Sequence, residues 1–211
     1  MKAKIYIAHI FSFILHPVFM TLYGMGLLFL YNKFLLGTDL FLKIITPIAI
    51  LTCIFPINAI FLLKRFGVIK DYALTERRDR VFPFIIVFFC YVFLIYYFSL
   101  PNIPLWFLIT LSMPLALLII AGIITFFWKI SAHMMSMGGL IGAVLTISYY
   151  VLGTNPYVLF IILFILAGCL GTSRLILQRH TPAQVYIGFG AGLIISIIYI
   201  LYVPYLFTFR F

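Results

Sequence analysis

Residues 81–99 read VFPFIIVFFCYVFLIYYFS, a run without a charged or amide side chain. A helix that crosses the hydrocarbon core of a bilayer needs about 20 mostly apolar residues, and this segment has that length and character. Working outward, the same pattern recurs over 5–31 and 40–63 before it, and over 104–127, 132–152, 157–175 and 183–206 after it. Composition agrees. Of 211 residues, 66% are hydrophobic and 9% charged, against about 25% charged in a soluble domain. So few polar side chains cannot cover a water-facing surface, so the solvent is lipid. The expected fold is all-α: a polytopic transmembrane bundle of about six or seven spanning helices.

The chain reads as one transmembrane domain over 1–211. It has N-terminal helices in 1–63, a motif-bearing core in 64–190, and the end of the last helix with a tail in 191–211. The run that follows Met1-Lys2-Ala3-Lys4 reaches about Tyr31 and lacks a small-x-small cleavage site. A signal-peptide core spans only about 7–15 residues, so this run is expected to remain as the first membrane helix. His16-Pro17 lies inside it, where proline favours a kink. Leu100-Pro101-Asn102-Ile103-Pro104 and Gly153-Thr154-Asn155-Pro156 are turn signals. Gly138 and Gly142 are four residues apart, as are Gly188 and Gly192, a spacing that lets helices approach closely in lipid.

The net charge is +10, from 14 Lys+Arg against 4 Asp+Glu. Bases confined to short inter-helix stretches fit anionic headgroups or a phosphorylated substrate better than nucleic acid. Cys53, Cys90 and Cys169 sit singly in apolar runs, without metal spacing or a CxxC pair, and read as small packing residues. The acids are Asp39, Asp71, Glu76 and Asp79. Magnesium sites on phosphate substrates draw on carboxylates, so this short supply points to chemistry without a metal or other cofactor.

Three polar clusters stand out. The first is KRFGVIKDYALTERRDR over Lys64–Arg80, the second is Lys129-Ile130-Ser131-Ala132-His133, and the third runs from Ser173 to His180. Two spans separate each from the next, so all three return to one membrane face. On a helix, Lys70 and Arg77 would fall within about 20° of each other and roughly 10 Å apart along the axis. With Arg174 they make three converging cations, a set suited to phosphate. The simpler alternative for any one base is headgroup anchoring at a helix end. Ser131 stands at the expected N-cap of one helix. Thr181-Pro182-Ala183-Gln184 has the form of a capping box at the start of another. Helix N-termini favour anions, and each of these two adjoins a histidine, His133 or His180. One imidazole is suited to attack phosphorus and the other to protonate the leaving oxygen.

At these residues the sequence resembles the type 2 phosphatidic acid phosphatase superfamily, whose signature is K-x6-RP, PSGH and SR-x5-H-x3-D. The counterparts here are Lys70-x6-Arg77-Arg78, Ile130-Ser131-Ala132-His133 and Ser173-Arg174-x5-His180-x3-Gln184. The motifs run from Lys70 to Gln184, a little over half the chain. The resemblance implies His180 as nucleophile and His133 as general acid. It implies Lys70, Arg77 and Arg174 as phosphate-binding cations, with Ser131 and Ser173 as hydrogen-bonding serines. It further implies metal-independent hydrolysis of a lipid phosphate or polyprenyl diphosphate through a phosphohistidine. Arg78 stands where the family has proline, Ile130 and Ala132 replace its proline and glycine, and Gln184 replaces the aspartate that orients the nucleophile. A glutamine oxygen accepts a hydrogen bond from an imidazole but supplies no charge. That departure motivates an alternative, a non-catalytic lipid-phosphate binder or transporter on the same scaffold. A haem- or quinone-binding reading, using His9, His16, His133 or His180, leaves the three-part pattern unexplained.

The expected location is a bacterial inner membrane. Of the 14 basic residues, only Lys33, Lys43 and Arg210 fall on the face opposite the motifs. The positive-inside rule then puts the motif face in the cytoplasm, whereas the resemblance implies an external one.

Overall fold

The computed structural model describes residues 2–31, 38–72, 79, 81–100 and 103–208; the side chains of 31, 38–40 and 205–208 fall outside that description. Among the described residues every regular element is helical: α1 (Lys2–Ile14), α2 (Pro17–Tyr31), α3 (Thr38–Ala49), α4 (Phe55–Arg65), α5 (Val81–Ser99), α6 (Leu105–Phe127), α7 (Ala132–Thr146), α8 (Tyr157–Ile176) and α9 (Pro182–Thr208). A π-helical turn, Ile50–Ile54, joins α3 to α4, and another, Ile147–Val151, extends α7. Among the described residues, six helices are long and apolar enough to cross a membrane: Phe41–Arg65, Val81–Ser99, Leu105–Phe127, Ala132–Val151, Tyr157–Ile176 and Pro182–Pro204. The molecule is a polytopic helical bundle. Helix α9 runs unbroken through residues 190 and 191. Gly153, at φ +62°, ends the extension of α7 before Pro156 opens α8. In the turn expected between α5 and α6, Pro101 and Asn102 lie outside the described residues.

The first apolar run is not one helix over 5–31. It breaks between α1 and α2, which meet at a bend of 61°. Pro17 is the cause. It has no N–H to give to Phe13, and its ring excludes the preceding residue from regular helix. The His16 N–H turns back to the Phe13 carbonyl at 3.2 Å instead.

Helix α7 is the centre of the bundle. Of the apolar window in Ala132–Val151, 72% is buried, against 22–39% in the other five spans. It packs against α9, α2, α8 and α6, and most extensively against α9. Small residues make that contact one of backbone on backbone. A Cβ at Gly192 would come within 1.9 Å of the Met135 carbonyl oxygen, and one at Gly138 within 2.1 Å of the Phe189 carbonyl oxygen. In lipid, dispersion between closely packed helices substitutes for hydrophobic driving force, so these glycines set how near α9 lies to α7. Outward-facing positions such as Phe13, Leu30, Phe89, Phe126 and Ile161 are exposed and apolar, as a lipid-facing surface requires.

Candidate functional site

The first polar cluster is not a helix at Lys70. Helix α4 stops in a Schellman turn. The Gly67 N–H donates to Lys64 O at 3.1 Å, and the Val68 N–H donates to Leu63 O at 2.9 Å. Gly67 takes φ +72°, which glycine adopts without a Cβ clash. Lys70 follows in a bend with an exposed side chain, so the helical register expected between Lys70 and Arg77 does not exist at its start. Its backbone N–H donates to Asp79 Oδ2 at 2.8 Å, and its carbonyl accepts from Lys64 Nζ. Arg77 and Arg78 lie outside the described residues.

The third cluster is a second Schellman turn joined to a helix cap. Helix α8 ends at Ile176, with the Gln178 N–H bonded to Leu175 O at 2.9 Å and the Arg179 N–H bonded to Arg174 O at 3.2 Å. Here the left-handed residue is Gln178, at φ +52°. The turn reverses the chain, bringing His180 back beside the end of α8 and delivering Thr181 to the N-cap of α9. The expected capping box is formed. The Thr181 N–H donates to Gln184 Oε1 at 3.1 Å, and the Gln184 N–H donates to Thr181 Oγ1 at 3.4 Å.

Gln184 does more than cap. Its Oε1 also lies 3.1 Å from His180 Nδ1. A backbone N–H can only donate, so the amide atom that faces Thr181 must be the oxygen. That oxygen accepts from His180 as well, so Nδ1 carries the proton and the neutral ring has its lone pair on Nε2. One amide oxygen therefore caps α9 and sets the histidine tautomer.

Ser131 occupies the N-cap position of α7, but its hydroxyl makes no cap hydrogen bond. It is fully buried, and its Oγ is without a hydrogen-bond partner among the described residues. Orphaned buried hydroxyls are rare. The start of α7 is thus the less blocked of the two helix N-termini, because that of α9 is occupied by its own capping box. Arg174, in the last turn of α8, is half-buried. Its Nη1 donates to Ser12 Oγ at 3.4 Å, while its Nε is buried without a partner. No carboxylate among the described residues pairs with it. A partly buried guanidinium whose described partner is a neutral hydroxyl is suited to an anion. Ser173, one residue earlier, is buried and donates its hydroxyl hydrogen to Cys169 O at 2.7 Å, so it is directed along its own helix.

The two motif histidines lie within electrostatic reach of each other. His133 is likewise within electrostatic reach of Arg174 and His16, and the Ser12 backbone lies close to its ring. His16 and His133 touch edge to face, with ring centres 4.9 Å apart at 88°. Ser131, His133, Arg174 and His180 thus share one end of the bundle, and α1 and α2 bring Ser12 and His16 to the same place. Those two residues are outside the expected set. Their signal is faint: an ionisable residue beside a proline in an apolar run, with a serine four positions before it on the same helical face.

Chemically, the group offers the imidazoles of His180 and His133, and, among the described residues, a guanidinium N–H and a buried hydroxyl without hydrogen-bond partners. Comparison with protein-family models, with curated proteins and with solved structures finds no match for this chain.

Proposed function

We propose that this protein is a metal-independent phosphatase of a membrane lipid phosphate, either a phosphomonoester or a diphosphate such as a polyprenyl diphosphate, in a bacterial inner membrane. One observation carries the reading. Gln184 Oε1 accepts from both the Thr181 N–H and His180 Nδ1, which puts the lone pair of the neutral ring on Nε2, and we read that nitrogen as the nucleophile, with Arg174 and His133 as its neighbours in the site.

In the first step His180 Nε2 attacks phosphorus, and the bond from phosphorus to the lipid oxygen breaks. Protonated His133 gives its proton to that oxygen. Arg174, Ser131 Oγ and the start of α7 bind the phosphoryl oxygens, where charge is spread in the transition state. Lys70, Arg77 and Ser173 are read as further phosphate ligands from the motif pattern, and Ser173 would have to turn its hydroxyl away from Cys169 to serve. In the second step water attacks the phosphohistidine, neutral His133 takes the water proton, and the N–P bond breaks to release phosphate.

The test is phosphate release by purified protein in detergent with chelator, from phosphatidic acid, phosphatidylglycerol phosphate and undecaprenyl diphosphate. Release by the native protein and not by His180→Ala supports the reading. Release that persists in folded His180→Ala overturns it. The second reading, a lipid-phosphate carrier, rests on the uncharged Gln184 amide. It predicts lipid-phosphate binding that survives His180→Ala, with no release by either protein.

A further inference from the structure

Four carbonyls at the end of any α-helix lack helical partners, and in α1 they are those of Phe11, Ser12, Phe13 and Ile14. The break at Pro17 decides where each one goes. Phe11 O accepts from the Leu15 N–H at 2.9 Å and Phe13 O from the His16 N–H at 3.2 Å. Ile14 O accepts from Tyr23 Oη at 3.0 Å. Ser12 O would ordinarily take the His16 N–H, four residues on, but that donor has gone to Phe13. The Ser12 backbone faces His133 instead. His16 is fixed as well. The Val18 N–H donates to His16 Nδ1 at 3.3 Å, so that nitrogen holds a lone pair and the ring proton sits on Nε2. Its ring then stands edge to face against His133 at 4.9 Å.

We infer that the broken α1–α2 helix is a working part of the site: the carbonyl released at Ser12 and the ring of His16 hold His133 in one orientation and one tautomer. His16 and the Ser12 carbonyl are positioning groups, because they act through His133. The inference rests on the proposed role of His133 as the group that protonates the leaving oxygen. A His133 N–H committed to Ser12 O leaves the other ring nitrogen to face substrate, and the Ser12 carbonyl goes on accepting that N–H when the ring is protonated. The partners pack on separate helices, α1 on α8 and α2 on α7, so only a bent pair can present the Ser12 carbonyl and the His16 ring to the same imidazole.

Two substitutions separate the parts. His16→Asn keeps a side-chain oxygen able to accept the Val18 N–H, and so preserves the break, but it removes the ring. Pro17→Ala restores an N–H that Phe13 O can accept, which frees the His16 N–H to compete for Ser12 O. The readout is the tautomer of His133 from the 15N spectrum of histidine-labelled protein in micelles, assigned by its loss in His133→Asn. In the native protein one ring nitrogen is expected as a hydrogen-bonded N–H and the other as a bare acceptor. Both variants are expected to show mixed tautomers. They are also expected to lose about tenfold in kcat, with a shifted pH–rate profile and KM within twofold, a fraction of the ~10²–10⁴ that a general acid supplies. His16→Phe, which retains a ring, is expected to recover part of the orientation. A His133 spectrum unchanged in folded His16→Asn and Pro17→Ala overturns the inference. The spectrum needs no turnover, so an inactive native protein would refute the phosphatase reading while the tautomer result still decides this one.

Discussion

The Gln184 oxygen accepts from the Thr181 N–H and from His180 together, so residue-scale changes there test capping and chemistry at once. Gln184→Glu keeps the length and both acceptors and adds a negative charge beside the imidazole and at a helix N-terminus. It is expected to raise phosphate release about ten- to a hundredfold, since losing such a carboxylate partner costs up to about 10⁴ in rate in the serine-protease case. It is not expected to lower the melting temperature, because acidic groups are favourable at that end of a helix. Phosphate assays and thermal melts on the same preparation check both. Gln184→Ala removes the cap and the tautomer lock together, with an expected stability loss of about 1 kcal/mol. Gln178 offers a separate test. It occupies the left-handed position of the α8 turn at φ +52°, a conformation that is unfavourable for any residue with a Cβ. Gln178→Gly is expected to stabilise the protein by roughly 0.5–1 kcal/mol in denaturant titration. This conformation was not legible in the sequence, since only a glycine there would have announced it.

At the scale of elements, the spans were legible because each is a long apolar run between turn residues. Their contacts were legible only where small residues repeat at a spacing of four. The pairing of α7 with α9 follows from Gly138 and Gly142 on one helix and Gly188 and Gly192 on the other. Gly192→Ala puts a methyl 1.9 Å from the Met135 carbonyl oxygen, whereas a Cβ at Gly190 meets nothing within 4 Å. The first change is expected to destabilise by about 1–3 kcal/mol, in the manner of overpacking. The second is expected to be neutral or slightly stabilising. Equal melts for the two would show that α9 does not rest on α7 as described. The broken first span is the reverse case. His16-Pro17 marks a weak point in the sequence, but a kinked helix and a bend of 61° share that signal. The packing of α1 on α8 and of α2 on α7 selects the bend.

Taken whole, the described part of the molecule has a buried central helix, an apolar exterior, and His16, Arg174 and His180 within electrostatic reach of His133. Lipid substrate is expected to enter sideways from the bilayer, so a short soluble phosphate ester should turn over far more slowly than its long-chain counterpart. Sidedness has a direct test. Arg179 is exposed beside the site, so Arg179→Cys, with Cys53, Cys90 and Cys169 replaced, reports which face carries it. The charge distribution predicts labelling by a membrane-impermeant maleimide in intact cells only after permeabilisation; labelling without permeabilisation would mean that basic site residues, rather than topology, produce the charge asymmetry. The sequence by itself determined that this chain is a helical membrane protein, where the six spans after the first apolar run lie, and which residues form the three polar clusters, because apolar length and local spacing are properties of consecutive residues. Tertiary structure alone decided that the Ser131 hydroxyl makes no cap bond and that Ser12 and His16 join His133 from more than a hundred residues away. A hydrogen bond released at a helix end is taken up by whatever neighbour the packing supplies, and no local pattern in the chain specifies that neighbour.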